Sequence, residues 1–182
     1  MHDDGYRLEK GLVSIFTGQG KGKPSAAIGI AVRAAGHGLR IYMVFMMKAN
    51  EFFEHGELTI LKKLPNVTVD AFGYRGWSRK GNITPEHQLE ASHALEAAEK
   101  AMMSGDYDVI ILDEINHAVA GGLIDAEKVI AMVQNKPPNV ELILTGRNAD
   151  PRLVAMADLV SEILMIKHPF TEGIRARKGI DY

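Results

Sequence analysis

The sequence of 182 residues contains no cysteine, one tryptophan and no long apolar run. Without cysteine, the chain has no disulfide bond, no thiolate metal site and no cysteine nucleophile. A bilayer span needs roughly 18 or more consecutive apolar residues, and no segment approaches that length. The N-terminal sequence also lacks the basic and apolar regions of a signal peptide. These absences predict a cytoplasmic protein with no membrane partner.

The chain also lacks a strong net charge, since its formal value is only −2. The net charge of the chain therefore gives no indication of nucleic acid as a partner. Apolar residues make up 46% and charged residues 24%, which is ordinary for a globular protein. The length predicts one domain over residues 1–182, with a loose N-terminal arm at 1–10 and a basic C-terminal tail at 167–182.

A glycine-rich stretch, TGQGKGK at residues 17–23, follows a short apolar run and precedes a helical run of small residues. Strand, glycine loop and helix form the context of a phosphate-binding loop. Glycines let the backbone turn its amides toward one centre, and the helix N-terminus adds partial positive charge. Lys21 and Lys23 add full charges for a polyphosphate. The alternative is a glycine-rich turn that binds nothing.

The loop departs from the common pattern G-x-x-x-x-G-K-[ST] at two positions. Thr17 stands where the first glycine belongs, and Pro24 stands where a serine or threonine belongs. Proline has no amide hydrogen, although a first helical turn tolerates it. The nearest hydroxyl is that of Ser25, one position late.

Apolar strand patterns alternate with helical patterns along the whole chain. The strands are expected at about 11–16, 40–48, 67–72, 108–114, 140–144 and 159–166. The helix after the glycine-rich stretch is expected to end near residue 35. Four further helices are expected at about 57–64, 84–104, 125–134 and 150–157. This alternation predicts an α/β, three-layer domain with a mainly parallel sheet.

Two further candidate features follow predicted strands, at the edge where such sheets bind ligands. Asp113 and Glu114 resemble a Walker B element, whose carboxylate serves Mg²⁺; a helix cap or a surface pair is the alternative. Arg147 follows a glycine and suits a phosphate or a ribose, unless it is an ordinary surface arginine. The histidines are scattered without zinc-binding spacing. The residues alone therefore indicate only that a nucleoside triphosphate is bound.

Taken together, the motifs resemble those of the P-loop ATP:corrinoid adenosyltransferase family, also called cob(I)yrinic acid a,c-diamide adenosyltransferase. The likeness runs in family order from about residue 10 to residue 182. The motifs are TGQGKGK (17–23), RAAGHG (33–38), LDEIN (112–116), LTGR (144–147), KHPF (167–170) and GIRARKGIDY (173–182).

The resemblance implies a RecA-like P-loop fold, a homodimer, and ATP with Mg²⁺, for which Mn²⁺ is an alternative. The second substrate is a corrinoid reduced to Co(I), and a flavoprotein reductase is a candidate partner that supplies the electron. In the implied reaction, Co(I) attacks the 5′ carbon of ATP and releases triphosphate. ATP lies in the loop in a sense reversed from that of ordinary P-loop enzymes.

The resemblance also assigns site residues. Lys23 and Glu114 are the catalytic candidates, and Asp113, Glu114 and Ser25 are the metal candidates. Expected ATP contacts are Thr17, Gly18, Gln19, Gly20, Lys21, Gly22, Lys23, Pro24, Ser25 and Arg147. Expected corrinoid contacts are Tyr74, Trp77 and Asn116. Pro24-Ser25 replaces the family's Thr-Thr, and GYRGW at 73–77 carries an inserted residue relative to the family's aromatic loop.

Two rival functions are compatible with the same loop. One is a nucleotide- or corrinoid-binding protein whose P-loop has degenerated at Pro24 and which does not turn over. The other is a small-molecule kinase, which would transfer the γ-phosphate and leave ADP rather than triphosphate.

Overall fold

The computed structural model describes residues 6–47, 55–73 and 83–181. Its strands are β1 (Val13–Thr17), β2 (Ile41–Phe45), β3 (Val67–Ala71), β4 (Val109–Asp113), β5 (Glu141–Thr145) and β6 (Leu159–Glu162). Its helices are α1 (Lys23–Gly36), α2 (Gly56–Leu61), α3 (Pro85–Met103), α4 (Ile115–Ala120), α5 (Ala126–Gln134) and α6 (Pro151–Met156). A 3₁₀ turn at Pro169–Glu172 follows β6.

Within these ranges the strands form one sheet in the order β3-β2-β4-β5-β1-β6, with every neighbouring pair parallel. Phe16 is in register with Thr145, and Leu112 with Leu144. The carboxyl ends of β1, β4 and β5 therefore lie side by side at one edge of the sheet. The predicted α/β fold with a mainly parallel sheet is confirmed, and the loops of the candidate site share this edge.

Alternate side chains of each central strand pack into two separate cores. In β2, Tyr42 and Val44 face the helices α3 to α6, whereas Met43 and Phe45 face α1 and α2. Both sets are buried, so the strand is apolar along its whole length. The sheet with a helical layer on each side is the three-layer arrangement that the sequence predicts. In the described part of the chain, no helix has the length and apolar character needed to cross a membrane.

Three helices begin at side-chain caps. The Thr84 hydroxyl accepts a hydrogen bond from the His87 amide at the start of α3. Asp125 and Asp150 cap α5 and α6 in the same manner. Such caps satisfy amides that have no partner within the helix. Helix α1 differs, because its N-cap is Gly22 and no side chain bonds to its first amides.

The structure differs from the sequence-based expectation at several places. Strand β2 ends at Phe45 rather than near residue 48, and α2 ends at Leu61 rather than near residue 64. Helix α4 follows β4 directly and was not predicted, because its six residues are too few to show a helical period. Strand β6 ends at Glu162 rather than at residue 166, since the backbone at Ile163 turns toward the glycine loop. In the expected loose arm, Arg7 is anchored by hydrogen bonds of 2.9 Å to both carboxylate oxygens of Asp108.

Candidate functional site

The loop between β1 and α1 is shaped by its glycines. Gly18 and Gly22 have φ values of 96° and 123°, which side chains rarely adopt. A Cβ on Gly20 would lie 2.6 Å from the carbonyl oxygen of Leu164. The Gly20 amide also donates to the carbonyl of Ile163 at 2.7 Å. The segment after β6 therefore presses against the loop, and only glycine permits this approach.

Lys23 is enclosed by the loop that precedes it. Its side chain is buried, and Nζ donates to the carbonyl oxygens of Gly18 at 2.9 Å and Gly20 at 2.7 Å. Burial lowers the pKa of Lys23, while the nearby carboxylate of Glu114 raises it and the charge of Arg147 lowers it further. The ammonium group therefore lies at the centre of the site, between the loop and the end of β4.

The start of α1 combines open amides with the unusual proline. Pro24 lies in the first turn, and no acidic side chain occupies that turn. Backbone amides at a helix N-terminus bind anions, although Pro24 itself contributes no donor. Ser25 is exposed and does not line the cavity described below, whereas Pro24 does. The assignment of Ser25 as a metal ligand stays a prediction.

The two carboxylates at the end of β4, those of Asp113 and Glu114, are placed differently. Asp113 is fully buried, and its Oδ1 accepts a hydrogen bond from the Thr145 hydroxyl at 2.7 Å. The same hydroxyl oxygen accepts from the Glu114 amide at 2.9 Å. Glu114 adopts a left-handed conformation with φ 65°, which turns the chain sharply into α4. Thr145 thus links the ends of β4 and β5 and fixes the backbone from which Glu114 projects.

A cavity of about 500 Å³ lies over this edge of the sheet. Its volume is within the range of small-molecule sites. Seven predicted site residues line it together: Gly20, Lys21, Gly22, Lys23, Pro24, Glu114 and Arg147. Six other predicted site residues do not line the cavity: Thr17, Gly18, Gln19, Ser25, Asp113 and Asn116. Tyr74 and Trp77 lie outside the described residues.

Three of the predicted residues outside the cavity support its walls. The Thr17 hydroxyl accepts from the Ala149 amide at 3.3 Å. Gln19 Nε2 donates to Asn148 Oδ1 at 2.9 Å. Asn116 is fully buried, and a Cβ on Gly146 would lie 3.1 Å from the Asn116 Cβ. Asn116 therefore packs beneath the loop that carries Arg147, and its role toward a corrinoid stays a prediction.

The opposite wall of the cavity comes from the C-terminal tail, which the sequence reasoning did not assign to the site. Among the residues that line the cavity, the tail contributes the charged or ionisable side chains Lys167, His168, Arg175, Arg177 and Asp181. With Lys21, Lys23 and Arg147, six lysines and arginines face two carboxylates, those of Glu114 and Asp181. This excess of positive charge suits a polyanion. The concentration of lysine and arginine residues at 167–178 is the sequence feature that could have indicated that the tail belongs to the site.

His117 is a second residue that the sequence did not single out. It follows Asn116 in α4 and is half-buried. Burial lowers its pKa, and the charges of Arg147 and Lys23 lower it further. The scattered histidine pattern gave no sign of this placement, because β4 and β5 bring His117 and Arg147 together only in the folded chain.

The donor set around the cavity suits Mg²⁺ bound together with phosphate. No group of three or more histidine, aspartate or glutamate side chains forms a metal-binding cluster within 6–47, 55–73 and 83–181. Mg²⁺ is usually held by one or two carboxylates, water and substrate phosphates rather than by such a cluster. Glu114 supplies a carboxylate inside the cavity, with Asp113 next to it in the chain.

Comparison with known proteins decides the family. The family model described as "ATP:corrinoid adenosyltransferase BtuR/CobO/CobP" matches residues 9–182. The chain belongs to this family. Among curated relatives in the family, the Corrinoid adenosyltransferase of Pseudomonas aeruginosa is 31% identical over 97% of this chain and 86% of its own length. The Corrinoid adenosyltransferase CobA of Salmonella typhimurium is 34% identical over 96% of this chain and 87% of its own length.

A solved structure supports the fold independently of these relatives. The KaiC-like protein PH0186 of Pyrococcus horikoshii superposes with a TM-score of 0.60, covering 88% of this chain and 76% of that one. The two sequences are 13% identical, so this likeness concerns the fold alone. The three-layer, RecA-like P-loop fold that the family resemblance implied is thereby confirmed.

Proposed function

We propose that this protein transfers the 5′-deoxyadenosyl group of ATP to the Co(I) centre of a reduced corrinoid, in the formation of adenosylcobalamin. The observation that carries the proposal is the cavity at the ends of β1, β4 and β5 in a chain of this family. Its wall contains the phosphate loop, Glu114 and Arg147. The curated relatives are named corrinoid adenosyltransferases, which supports the proposal.

In this reaction the substrate cobalt is itself the nucleophile. A cobalt–carbon bond forms at C5′, the C5′–oxygen bond breaks, and triphosphate leaves with the bonding electron pair. No protein base has to remove a proton. The protein must instead position C5′ and stabilise negative charge on the departing group. The ATP is held in the reversed sense that the family resemblance implies, with C5′ toward the corrinoid.

Each basic group in the cavity has a role in this scheme. The loop amides and Lys23 bind the phosphates, and Lys21 extends the positive wall. Because Lys23 is buried, its interaction with a phosphate is less weakened by solvent than that of an exposed lysine. Arg147 lies close enough to Lys23 to lower that residue's pKa, so both charges act on the same region. These contacts strengthen as charge collects on the leaving triphosphate.

Glu114, with Asp113 beside it, would hold Mg²⁺, for which Mn²⁺ is an alternative. When bound, the ion would neutralise part of the triphosphate charge. Glu114 faces the cavity, whereas Asp113 is buried and bonded to Thr145. We therefore assign the direct contact to Glu114 and a supporting role to Asp113. Tyr74, Trp77 and Asn116 remain our candidates for contact with the corrinoid.

The proposal also includes an oligomeric state, a cellular location and a partner protein. We expect a homodimer in the cytoplasm and a flavoprotein reductase that keeps the corrinoid reduced. The edge strand β6 supports a dimer, because Leu159 and Val160 are exposed there. Several apolar side chains of the following segment are exposed as well: Leu164, Met165, Ile166, Phe170, Ile174 and Ile180. Apolar surface beside the edge strand of a sheet is typical of a protein interface.

The decisive experiment mixes the protein with chemically reduced cobalamin, ATP and Mg²⁺ without oxygen. We expect the visible spectrum to change from that of Co(I) to that of adenosylcobalamin, with one triphosphate released per product. A kinase would release ADP instead, and a binding protein would bind ATP without product. Absence of both adenosylcobalamin and triphosphate would overturn the proposed function.

A further inference from the structure

The C-terminal tail folds back onto the phosphate loop and ends its described course beside Lys21. After β6, the 3₁₀ turn at Pro169–Glu172 and Gly173, with φ 79°, reverse the chain. Residues 174–177 and Asp181 then line the cavity together with the loop. The loop and the tail thus form two walls of one charged pocket.

Asp181 makes the contact between these walls. One carboxylate oxygen, Oδ1, accepts a hydrogen bond from Nζ of Lys21, which also donates to the carbonyl of Ile180 at 3.2 Å. The other oxygen, Oδ2, accepts from Arg177 through its backbone amide at 2.8 Å and its Nε at 3.0 Å. The carboxylate is therefore held by an ammonium, a guanidinium and an amide.

This donor set is the kind that proteins use for phosphate groups. Arginine binds phosphate through its planar nitrogens, lysine binds it as a point charge, and backbone amides complete the site. Hydrogen bonds from Lys21 and Arg177 hold the pKa of Asp181 well below its ordinary range, so the carboxylate is charged at neutral pH. A carboxylate in such a site has the sign of charge and two of the acceptor oxygens that a phosphate would present.

We propose that Lys21 and Arg177 form a phosphate subsite whose place Asp181 holds, and that a triphosphate displaces Asp181 from it. The inference rests on the proposed function, since it requires a triphosphate in this cavity. It makes Arg177 a phosphate ligand contributed by the tail. It also makes Asp181 an internal competitor that weakly charged anions do not displace.

The small free-energy cost of breaking the Asp181 ion pairs favours displacement of Asp181 by triphosphate over a permanent ion pair. Lys21 and Arg177 are about half exposed, with side-chain exposures of 46% and 56%. Ion pairs between exposed groups contribute little to stability, so Asp181 is displaced at small cost. A triphosphate with several charges gains contacts with Lys23, Arg147 and the loop amides at the same time.

The experiment is calorimetric titration with inorganic triphosphate at constant ionic strength, without corrinoid. Removing the competitor in Asp181→Asn is expected to tighten binding by about three- to tenfold, the scale of one or two exposed ion pairs. Arg177→Gln is expected to weaken it by about tenfold, through loss of a charge-assisted contact. The two substitutions therefore have opposite signs although they break the same pair.

Asp106→Asn is the matched control, because it removes the same charge from an exposed loop at the other end of β4. We expect its triphosphate affinity to equal that of the wild type. Unchanged or weaker binding by Asp181→Asn overturns the inference, since Asp181 would then only anchor the tail. Unchanged or tighter binding by Arg177→Gln overturns it as well, as does equal tightening by Asp106→Asn.

Failure of this inference is distinguishable from failure of the proposed function. If the wild type forms adenosylcobalamin but the variants do not show opposite signs, only the subsite is wrong. If the wild type forms adenosylcobalamin but neither it nor Asp181→Asn binds triphosphate, again only the subsite is wrong. If the wild type forms no adenosylcobalamin and releases no triphosphate, the proposed function is wrong. Unfolding temperatures measured without ligand verify that all variants are folded.

Discussion

Glu114 occupies a position at which a side chain is unusual, because its φ of 65° lies in the left-handed region. We expect Glu114→Gln to fold normally, since the volume and backbone requirements hardly change. Loss of the charge should lower turnover by about tenfold or more, because charge-assisted contacts contribute about 1.5–3 kcal/mol. The measurement is the rate of adenosylcobalamin formation as a function of Mg²⁺ concentration.

The control for this variant is Glu96→Gln, which removes an exposed carboxylate from α3. Its rate should match the wild type at every Mg²⁺ concentration. A wild-type rate for Glu114→Gln at limiting Mg²⁺ would contradict the assignment of the metal contact to Glu114.

Pro24 leaves the phosphate loop with one amide fewer and no hydroxyl at the position where P-loops usually carry one. Pro24→Thr restores both groups at a residue that lines the cavity. At about 1 kcal/mol for each hydrogen bond, ATP affinity should improve by about tenfold or more. Calorimetry with and without Mg²⁺ measures this, and we expect a larger gain with the metal.

Ser25→Ala separates the two possible sources of a hydroxyl. Because Ser25 is exposed and outside the cavity lining, a gain in Pro24→Thr should survive the additional Ser25→Ala substitution. Equal affinities and equal Mg²⁺ dependence for the wild type and Pro24→Thr would mean that Ser25 or water already supplies what Pro24 lacks.

At the scale of elements, the close approach of the β6 connection to the loop depends on Gly20. A Cβ there would lie 2.6 Å from the Leu164 oxygen and 2.8 Å from the Ile163 oxygen, so the backbone must move. We expect Gly20→Ala to destabilise the fold by about 1–3 kcal/mol, the usual effect of overpacking. Triphosphate binding should weaken as well, because the loop and the tail lose their relative placement.

Gly29→Ala in helix α1 is the matched comparison. Among the described residues, no heavy atom beyond the adjoining residues and backbone of the same helix lies within 4 Å of a Cβ built there, so the added methyl group meets open space. Its expected effect is a stabilisation of about 0.4–1 kcal/mol through reduced entropy of the unfolded chain. Denaturant unfolding of both variants tests the pair, and a Gly20→Ala protein as stable as wild type would refute the packing argument.

Asp108 joins the N-terminal segment to the starts of β2 and β4. It is buried and bonded to Arg7, and its Oδ2 accepts from the Arg40 amide at 2.8 Å. Burial acts to raise its pKa, but the hydrogen bonds from Arg40 and Arg7 outweigh burial and lower the pKa. The carboxylate therefore stabilises the fold above its unfolded pKa, and this contribution is lost as pH falls through the lowered folded value.

Asp108→Asn should consequently lose about 1–3 kcal/mol of stability at neutral pH. The difference from wild type should shrink as pH falls below about 4, near the pKa of an unfolded aspartate. Thermal unfolding across this range measures it, with Asp106→Asn as an exposed control expected to change little. A difference that stays constant with pH would attribute the loss to packing rather than to charge.

For the whole molecule, we place the proposed dimer interface at β6 and the segment that follows it. Ile166 is 94% exposed, so it contributes almost nothing to the packing of a single chain. Ile166→Lys is therefore expected to fold normally and to shift the dimer toward monomer in sedimentation experiments. Val32→Lys, on an exposed side of α1, should leave the dimer intact. A dimer that is equally stable in Ile166→Lys would place the interface elsewhere.

Much of the molecule was determined by the sequence itself. Continuous apolar strands such as β2 and β4 are recognisable because both faces are buried, and their alternation with helices decides the fold class. The phosphate loop was predictable because its glycines and lysines act over seven consecutive residues. Family membership followed from motifs in a fixed order.

Only the tertiary structure decided how distant segments complete the site. The sequence alone does not distinguish the roles of Asp113 and Glu114. In the fold, the register of β4 against β5 buries Asp113 beside Thr145 and directs Glu114 toward the cavity. The sequence likewise gives no reason to place Asp181 against Lys21, 160 residues away. Such contacts depend on the strand order and on the turn after β6. Local propensity and spacing carry no information about them, because they arise only when the chain is folded.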